Sequence, residues 1–250
     1  MTERAADAIG TTGTWGIIGG TGLDSLDGLV IDSEQLVETP YGPTSAPLLK
    51  GKLAQSDVVF LARHGAAHHI APHRINYRAN IWALAQHVER VVAVAAVGGI
   101  RSAFRPRELV VPDQLVDYTW GREHTYFTAD DVQHIDFTQP YCSPTRRALL
   151  TAAERAGVML HADGVYGATQ GPRLESAAEI NRMERDGCDL VGMTGMPEAA
   201  LARELGLSYA CLAVVVNEAA GRGPAVITMD DIRVHLGAGM DAVRRILHAF

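Results

Sequence analysis

Short runs of apolar residues alternate with longer stretches in which apolar positions recur at helical spacing, and glycine or proline punctuates nearly every junction. The runs are "TWGII" (14–18), "VVFLA" (58–62), "VVAVAAV" (91–97), "LVVP" with "QLVDY" (109–118), "DLVGM" (189–193) and "YACLAVVV" (209–216). They are continuous in Val, Ile and Leu rather than alternating with polar residues, which predicts strands buried on both faces. Helices are predicted at 77–88, 144–156, 175–187, 197–205 and 229–248. Their starts carry the expected signals: Ser143 before Pro144, Met196 before Pro197, and Thr228 three residues ahead of Asp231. This rhythm predicts an α/β fold. In open α/β sheets the ligand lies beyond the carboxyl ends of the strands, so the residues that follow each apolar run are the first candidates for chemistry.

Composition narrows the class. With 250 residues, 47% of them hydrophobic, the chain is long enough for one full core, expected over 14–250 as a single domain behind a flexible tail at 1–13. The tail has early acidic residues and no apolar stretch, so it is not expected to act as a signal or an anchor, and "VVAVAAV" and "ACLAVVV" are far too short to span a bilayer. A net charge of -7, with no long basic tract, argues against nucleic acid and leaves small molecules as partners. Cys142, Cys188 and Cys211 show no CxxC spacing, which points to reduced thiols and a cytoplasmic protein.

Against this acidic background "LARHGAAHHIAPHRINYRAN" (61–80) stands out, because no acidic side chain occurs from residue 58 to 88. His64 and His68 have the spacing of a helical zinc pair, but Gly65 loosens the helix and no carboxylate or cysteine ligand is near. Arg63 and His64 at a strand end suit an oxyanion better, since a guanidinium offers a fork of donors that is always charged. No metal is expected. "GGTGL" (19–23) reads either as a plain tight turn or as a phosphate-approaching one with Thr21 as donor, and it lacks the third glycine of a dinucleotide fingerprint. Thr194 beside a helix start is an ordinary cap or a second oxyanion position. Glu175 and Asn217 each have a bland reading, as a helix-start charge and a turn residue; together they offer the acceptor and donor set that reads a purine edge.

From Trp15 almost to the C-terminus the chain resembles the trimeric purine nucleoside and methylthioadenosine phosphorylases. The motifs that carry the resemblance are "IIGGTGL", "TPYGPTSAP", "ARHG", "HRINYRANIWAL", "AVGGI", "HIDFTQPYC", "TQGPRLES", "GMTGMPEAALARELG" and "VVVNEAAG". The resemblance implies one α/β domain around a mixed, twisted, partly barrel-like sheet flanked by helices. It also implies a homotrimer, with a hexamer as the larger alternative. The implied reaction is phosphate-dependent cleavage of a purine nucleoside, with inorganic phosphate as co-substrate and no cofactor. Thr21, Arg63, His64, Thr194 and the backbone at Ala96 would hold phosphate. Met193, Ala219 and Met229 would contact substrate, and His134 would reach the sugar in a neighbouring subunit's site. Asn217, Glu175 and His64 would be the catalytic groups. The chain departs from the methylthioadenosine branch at Ala95, where that branch places a threonine near phosphate.

Members of the family that use 6-aminopurines place aspartate and serine where this chain has Asn217 and Glu175, whereas the 6-oxopurine members use the residues found here. An amide donates to a 6-oxo acceptor and a carboxylate accepts the ring N–H of the oxo tautomer. "AVITMDDIRVHL" offers Met229 and Ile232 where ordinary nucleoside phosphorylases hold a 5'-hydroxyl with histidine, so an apolar 5' group is expected, with His235 as a complication. The resemblance therefore implies a 6-oxopurine nucleoside with a 5'-methylthio group. The rivals are inosine and guanosine, methylthioadenosine, and, outside this reaction class, a nucleotide-sensing or metal-binding protein without turnover.

Overall fold

The central strand, β7 (Arg90–Gly99), buried at all but one position, has three partners, and the sheet forks around it. The computed structural model describes residues 13–250 other than 129, 224 and 225; of the tail expected over 1–13, residues 1–12 lie outside the described residues. Along nearly its whole length β7 runs parallel to β12 (Ser208–Glu218). Its first half also pairs in parallel with β1 (Trp15–Gly19), and its end pairs antiparallel with β11 (Leu190–Gly192). From β1 the sheet continues through β6 (Ser56–Ala62) and β5 (Leu48–Leu53) to β2 (Leu29–Gln35), and from β11 through β10 (Val165–Ala168) to β9 (Gln114–Asp117). The short β8 (Leu109–Val110) closes against β12. A separate hairpin joins β3 (Glu38–Thr39) to β4 (Gly42–Pro43). The sheet is flanked by α1 (Tyr77–Ala85), α2 (Ser143–Arg155), α3 (Ala177–Arg185), α4 (Gly195–Glu204) and α5 (Met229–Leu247). The result is the expected α/β architecture around a mixed sheet.

The predicted strands form within a residue or two of their apolar runs, and β1, β7 and β12 are buried almost throughout. The run at 109–118 divides into β8 and β9, because Pro112 has no N–H to give a ladder. Three strands of the main sheet escape the apolar signal. In β2 ("LVIDSEQ") six of the seven residues are exposed, β5 carries Lys50 and Lys52, and β10 is four residues long with a glycine. These form because a partner strand is already in place, a tertiary effect that local pattern does not carry.

The predicted helices form, with three corrections at their starts. In α2 Cys142 is the N-cap, Ser143 is already helical, and no side chain caps the end. In α4 Thr194 is the N-cap and the backbone leaves helical geometry at Met196 (φ -124°, ψ 141°), so continuous helix begins at Pro197. In α3 Ser176 and Glu179 form a reciprocal capping box, which leaves Glu175 outside the helix on the preceding loop. Thr228 caps α5 as expected, accepting from the Asp231 N–H. No described helix is long and apolar enough to cross a membrane.

Candidate active site

The register of the parallel strands assembles the site. Gly19 at the end of β1 is opposite Ala62 at the end of β6, so the segments that follow, Gly20–Thr21 and Arg63–His64, emerge side by side, tied by the Arg63 N–H to the Gly19 carbonyl at 3.0 Å. A Cβ on Gly20 would sit 2.3 Å from the Val94 carbonyl oxygen and 2.9 Å from Arg63 Nη1, so a side chain there would displace the guanidinium. Gly22 turns the chain with φ +83°, against the side chain of Leu236.

Arg63 is buried together with Glu198 of α4, each about 1% exposed. Its Nε and Nη2 donate to the two Glu198 carboxylate oxygens at 2.7 and 3.0 Å, and Nη1 donates to the Val94 carbonyl at 2.9 Å. Tyr209 of β12 adds a hydroxyl donor to Glu198 at 2.8 Å. Burial works against the Arg63 charge, but the Glu198 carboxylate more than offsets it, and the net shift of the arginine is upward. Three of the five guanidinium N–H groups are thus used inside the protein, leaving one on each terminal nitrogen for a ligand.

His64 is nearly as buried, and its Nδ1 lies 2.8 Å from the Ile70 carbonyl. A carbonyl only accepts, so Nδ1 carries the proton and Nε2 keeps a lone pair. Burial, and then the charge of Arg63, lower the imidazole to about 4. The ring packs 4.6 Å from that of His68, whose Nδ1 meets Asp24 at 2.9 Å. His69 lies beneath Gly65, and His73 belongs to a short 3-10 turn at Pro72–Arg74. Among the described residues no group of three or more His, Cys, Asp or Glu has the arrangement of a metal site.

On the same side of the sheet, the carboxyl end of β12 carries a bulge between Val215 and Asn217, after which Asn217 is opposite Gly98. The extra residue re-aims the strand end. The Asn217 amide donates to the Glu218 carbonyl at 2.7 Å, which fixes its orientation. Glu175 accepts from the Thr169 hydroxyl at 2.6 Å.

One cavity of about 290 Å³ is lined by Thr21, Arg63, His64, Ala95, Ala96, Glu175, Met193, Thr194, Asn217 and Met229, with Pro72, Leu174, Ile227 and Ile232 as apolar wall. Two expected contacts lie elsewhere. Ala219 is buried in a small cluster with Ile100, Ile180, Met183, Cys188 and Val191, and its neighbour Ala220 lines the cavity instead, in the turn that follows β12 and is closed by the Arg222 N–H on the Ala219 carbonyl at 2.9 Å. His134 is exposed on the irregular segment between β9 and α2 and does not line this cavity. His235 is turned to the Val216 carbonyl at 3.0 Å and is also outside the lining. A larger depression of about 430 Å³, around Trp120, Arg173 and Arg182, shares Glu175 but not Thr21, Arg63, His64 or Thr194.

Sequence reasoning missed Glu198, Tyr209 and Thr169. Glu198 follows Pro197 in the first turn of a helix, where an acidic residue reads as a charge on the helix dipole. Its burial against an arginine 135 positions away leaves no local trace.

A mixed α/β sheet whose strand-end loops gather a buried arginine, hydroxyls and an amide around one cavity is the arrangement found here, and this chain belongs to the phosphorylase superfamily, whose family model matches residues 14–250. Within it the chain is 55% identical over 236 residues to "Probable S-methyl-5'-thioinosine phosphorylase" of Pseudomonas syringae pv. tomato, covering 93% of this chain and 96% of that one. It is 44% identical over 224 residues to "Probable 6-oxopurine nucleoside phosphorylase" of Thermococcus kodakarensis, covering 86% and 83%. Among solved structures, methylthioadenosine phosphorylase of Schistosoma mansoni in complex with adenine superposes with a TM-score of 0.90 at 32% identity, covering 94% of this chain and 90% of that one.

Proposed function

We propose that this enzyme cleaves the glycosidic bond of S-methyl-5'-thioinosine with inorganic phosphate, giving hypoxanthine and 5-methylthioribose 1-phosphate. The observation that carries the proposal is the meeting of three kinds of group in one cavity: anion donors around Arg63, the Asn217 and Glu175 pair, and an apolar wall that includes Met229 and Ile232. Arg63, Thr21, Thr194 and the Ala96 backbone hold the phosphate oxygens, and the Nε2 lone pair of His64 accepts the remaining P–OH of hydrogen phosphate. As the bond from C1' to N9 lengthens, its electron pair passes to the purine and positive charge spreads over the ribose. The phosphate dianion stabilises that charge and then forms the new C1'–O bond. The proton of hydrogen phosphate ends on the base, so hypoxanthine leaves neutral. Asn217 donates to the purine where negative charge collects, and Glu175 accepts the ring N–H of the oxo tautomer.

In this proposal phosphate is a co-substrate and no resident cofactor takes part. His134, exposed and away from its own cavity, supplies a sugar contact to a neighbour in a homotrimer. The free Cys142, Cys188 and Cys211 accord with a cytoplasmic setting. Inosine and guanosine are disfavoured because their 5'-hydroxyl would meet Ile227, Met229 and Ile232 while His235 is engaged with Val216. The deciding experiment is base release from methylthioinosine, methylthioadenosine, inosine and adenosine, each with and without phosphate. Methylthioinosine should be used best and only with phosphate; a preference for either adenine nucleoside would overturn the base assignment, and a preference for inosine the sugar assignment.

A further inference from the structure

Arg122 lies in the irregular segment after β9, is 9% exposed, and does not line the catalytic cavity. All five of its N–H groups are nevertheless engaged. Nε donates to Gln170 Oε1 at 3.1 Å, and Nη2 donates to the backbone carbonyls of Gln170 at 2.9 Å and Thr169 at 3.2 Å. Nη1 donates to the Met193 carbonyl at 2.9 Å, to the Met196 carbonyl, and to the Tyr77 hydroxyl at 3.3 Å. Among the described residues no carboxylate pairs with it, so carbonyl dipoles, the Tyr77 hydroxyl and the face of the Tyr77 ring, 5.4 Å away, compensate this buried cation.

The acceptors belong to two separate pieces of the site. Met193 and Met196 bracket Thr194, at the phosphate end. Thr169 and Gln170 lead into the loop that carries Glu175, and the Thr169 hydroxyl holds the Glu175 carboxylate. Among the described residues the two pieces also meet where β10 pairs with β11 at Ala168 and Gly192, where the Thr169 N–H and hydroxyl donate to the Gly192 carbonyl at 2.8 and 3.3 Å, and where Gly171 packs against the Met193 side chain; the guanidinium adds the bonds that span from Gln170 to Met193 and Met196. A guanidinium is a rigid planar fork, so a shift of either piece alone misaligns bonds to the other.

We propose that Arg122 is a positioning residue that couples phosphate occupancy to purine binding, by holding the Thr194 and Glu175 segments as one unit. Coupling of this kind is reciprocal: phosphate tightens the purine site by the same factor as purine tightens the phosphate site. The inference rests on the function proposed above.

The test measures hypoxanthine affinity with and without saturating inorganic phosphate, and phosphate affinity with and without hypoxanthine, by calorimetry on the full-length protein. Wild type should show a coupling factor of at least about fivefold in both directions, and Arg122→Lys, which keeps the charge but not the fork, should bring it close to unity. Arg122→Ala should lose the coupling too and regain it in millimolar guanidinium, but not in methylammonium, a contrast that general loosening of the fold would not produce. If Arg122→Ala does not fold, Arg122→Lys decides. A folded variant that keeps the full coupling, or a wild type that binds both ligands independently, overturns the proposal. A wild type that binds neither ligand overturns the functional reading itself, which separates the two failures.

Discussion

Replacement of Glu198 by glutamine tests whether the site depends on a carboxylate that never touches substrate. In the structure that carboxylate accepts two N–H bonds from Arg63, at 2.7 and 3.0 Å, and one O–H bond from Tyr209 at 2.8 Å. A glutamine has a single acceptor oxygen. Whichever way its amide is turned, at least one guanidinium N–H loses its partner, and the buried charge of Arg63 is left without a counter-charge. Breaking a buried pair from one side costs about 3–5 kcal/mol of stability, so a clear fall in the urea midpoint is expected. The functional effect is separate: a misoriented Arg63 weakens a charge-assisted contact worth about 1.5–3 kcal/mol, or roughly 10- to 100-fold in the phosphate requirement. Initial rates of base release from methylthioinosine, with phosphate varied at saturating nucleoside, measure this directly. Tyr209→Phe is the control. It removes one of three donors to Glu198 and leaves both arginine bonds, so it should cost about 1 kcal/mol of stability and little in phosphate KM. A folded Glu198→Gln enzyme with an unchanged phosphate KM, or with a loss confined to the nucleoside KM, would refute the reasoning.

Arg63→Ala should raise the phosphate KM by at least about tenfold, in line with a lost charged contact, while EDTA leaves wild-type activity intact; activity lost to EDTA and restored by zinc would reverse the anion assignment. Asn217→Asp combined with Glu175→Ser should move the ratio of kcat/KM values for methylthioinosine and methylthioadenosine toward the amino substrate by at least about tenfold, since a site built for one hydrogen-bond pattern leaves groups unpaired against the other. A ratio that does not move would place selectivity elsewhere. His64 sits at about 4, below the ordinary imidazole value. The unfolded chain therefore binds more protons between pH of about 6.5 and 4, and ligand-free stability should fall as pH drops through that window, by roughly 3 kcal/mol, with no further loss from His64 below it. His64→Gln should flatten this slope in urea titrations at several pH values, and an unaltered slope would show that other groups carry it.

The parts of the fold that were legible in sequence are those whose signal is local. The runs that became β1, β7 and β12 had to be apolar along their length because both faces are covered, and that necessity is written into consecutive residues. β2 carries the opposite message: six of its seven residues are exposed, and its strand character is imposed by pairing with β5. The site divides in the same way. Thr21, Arg63 and Thr194 follow apolar runs directly and could be found by inspecting strand ends. Glu198 and Arg122 hold other residues through a partner tens of positions away or through backbone carbonyls that have no sequence signature, and the hydroxyl of Thr169 meets Glu175, six positions on, across an irregular loop that no periodic pattern marks.

The two ends of the cavity are also built on different kinds of backbone, and this follows from what they must recognise. Phosphate is nearly symmetric and charged, so regular parallel strands that stop in register, Gly19 opposite Ala62, are enough to bring donors around it. A hydroxyl at Ala95, which the resemblance to the methylthioadenosine branch would lead one to expect, is dispensable in the proposed arrangement, because Thr21, Thr194, Arg63 and Ala96 line the same cavity. A purine edge has a fixed order of donors and acceptors, and a single misdirected amide reverses the preference. Regular strands offer side chains only at alternate positions, along directions fixed by the pleat. Asn217 escapes that constraint through the bulge in β12, and Glu175 through the capping box that starts α3 after it rather than on it. The residues proposed to discriminate therefore sit where the backbone is irregular, and in this proposal specificity can change there without disturbing the strand ends that would hold phosphate.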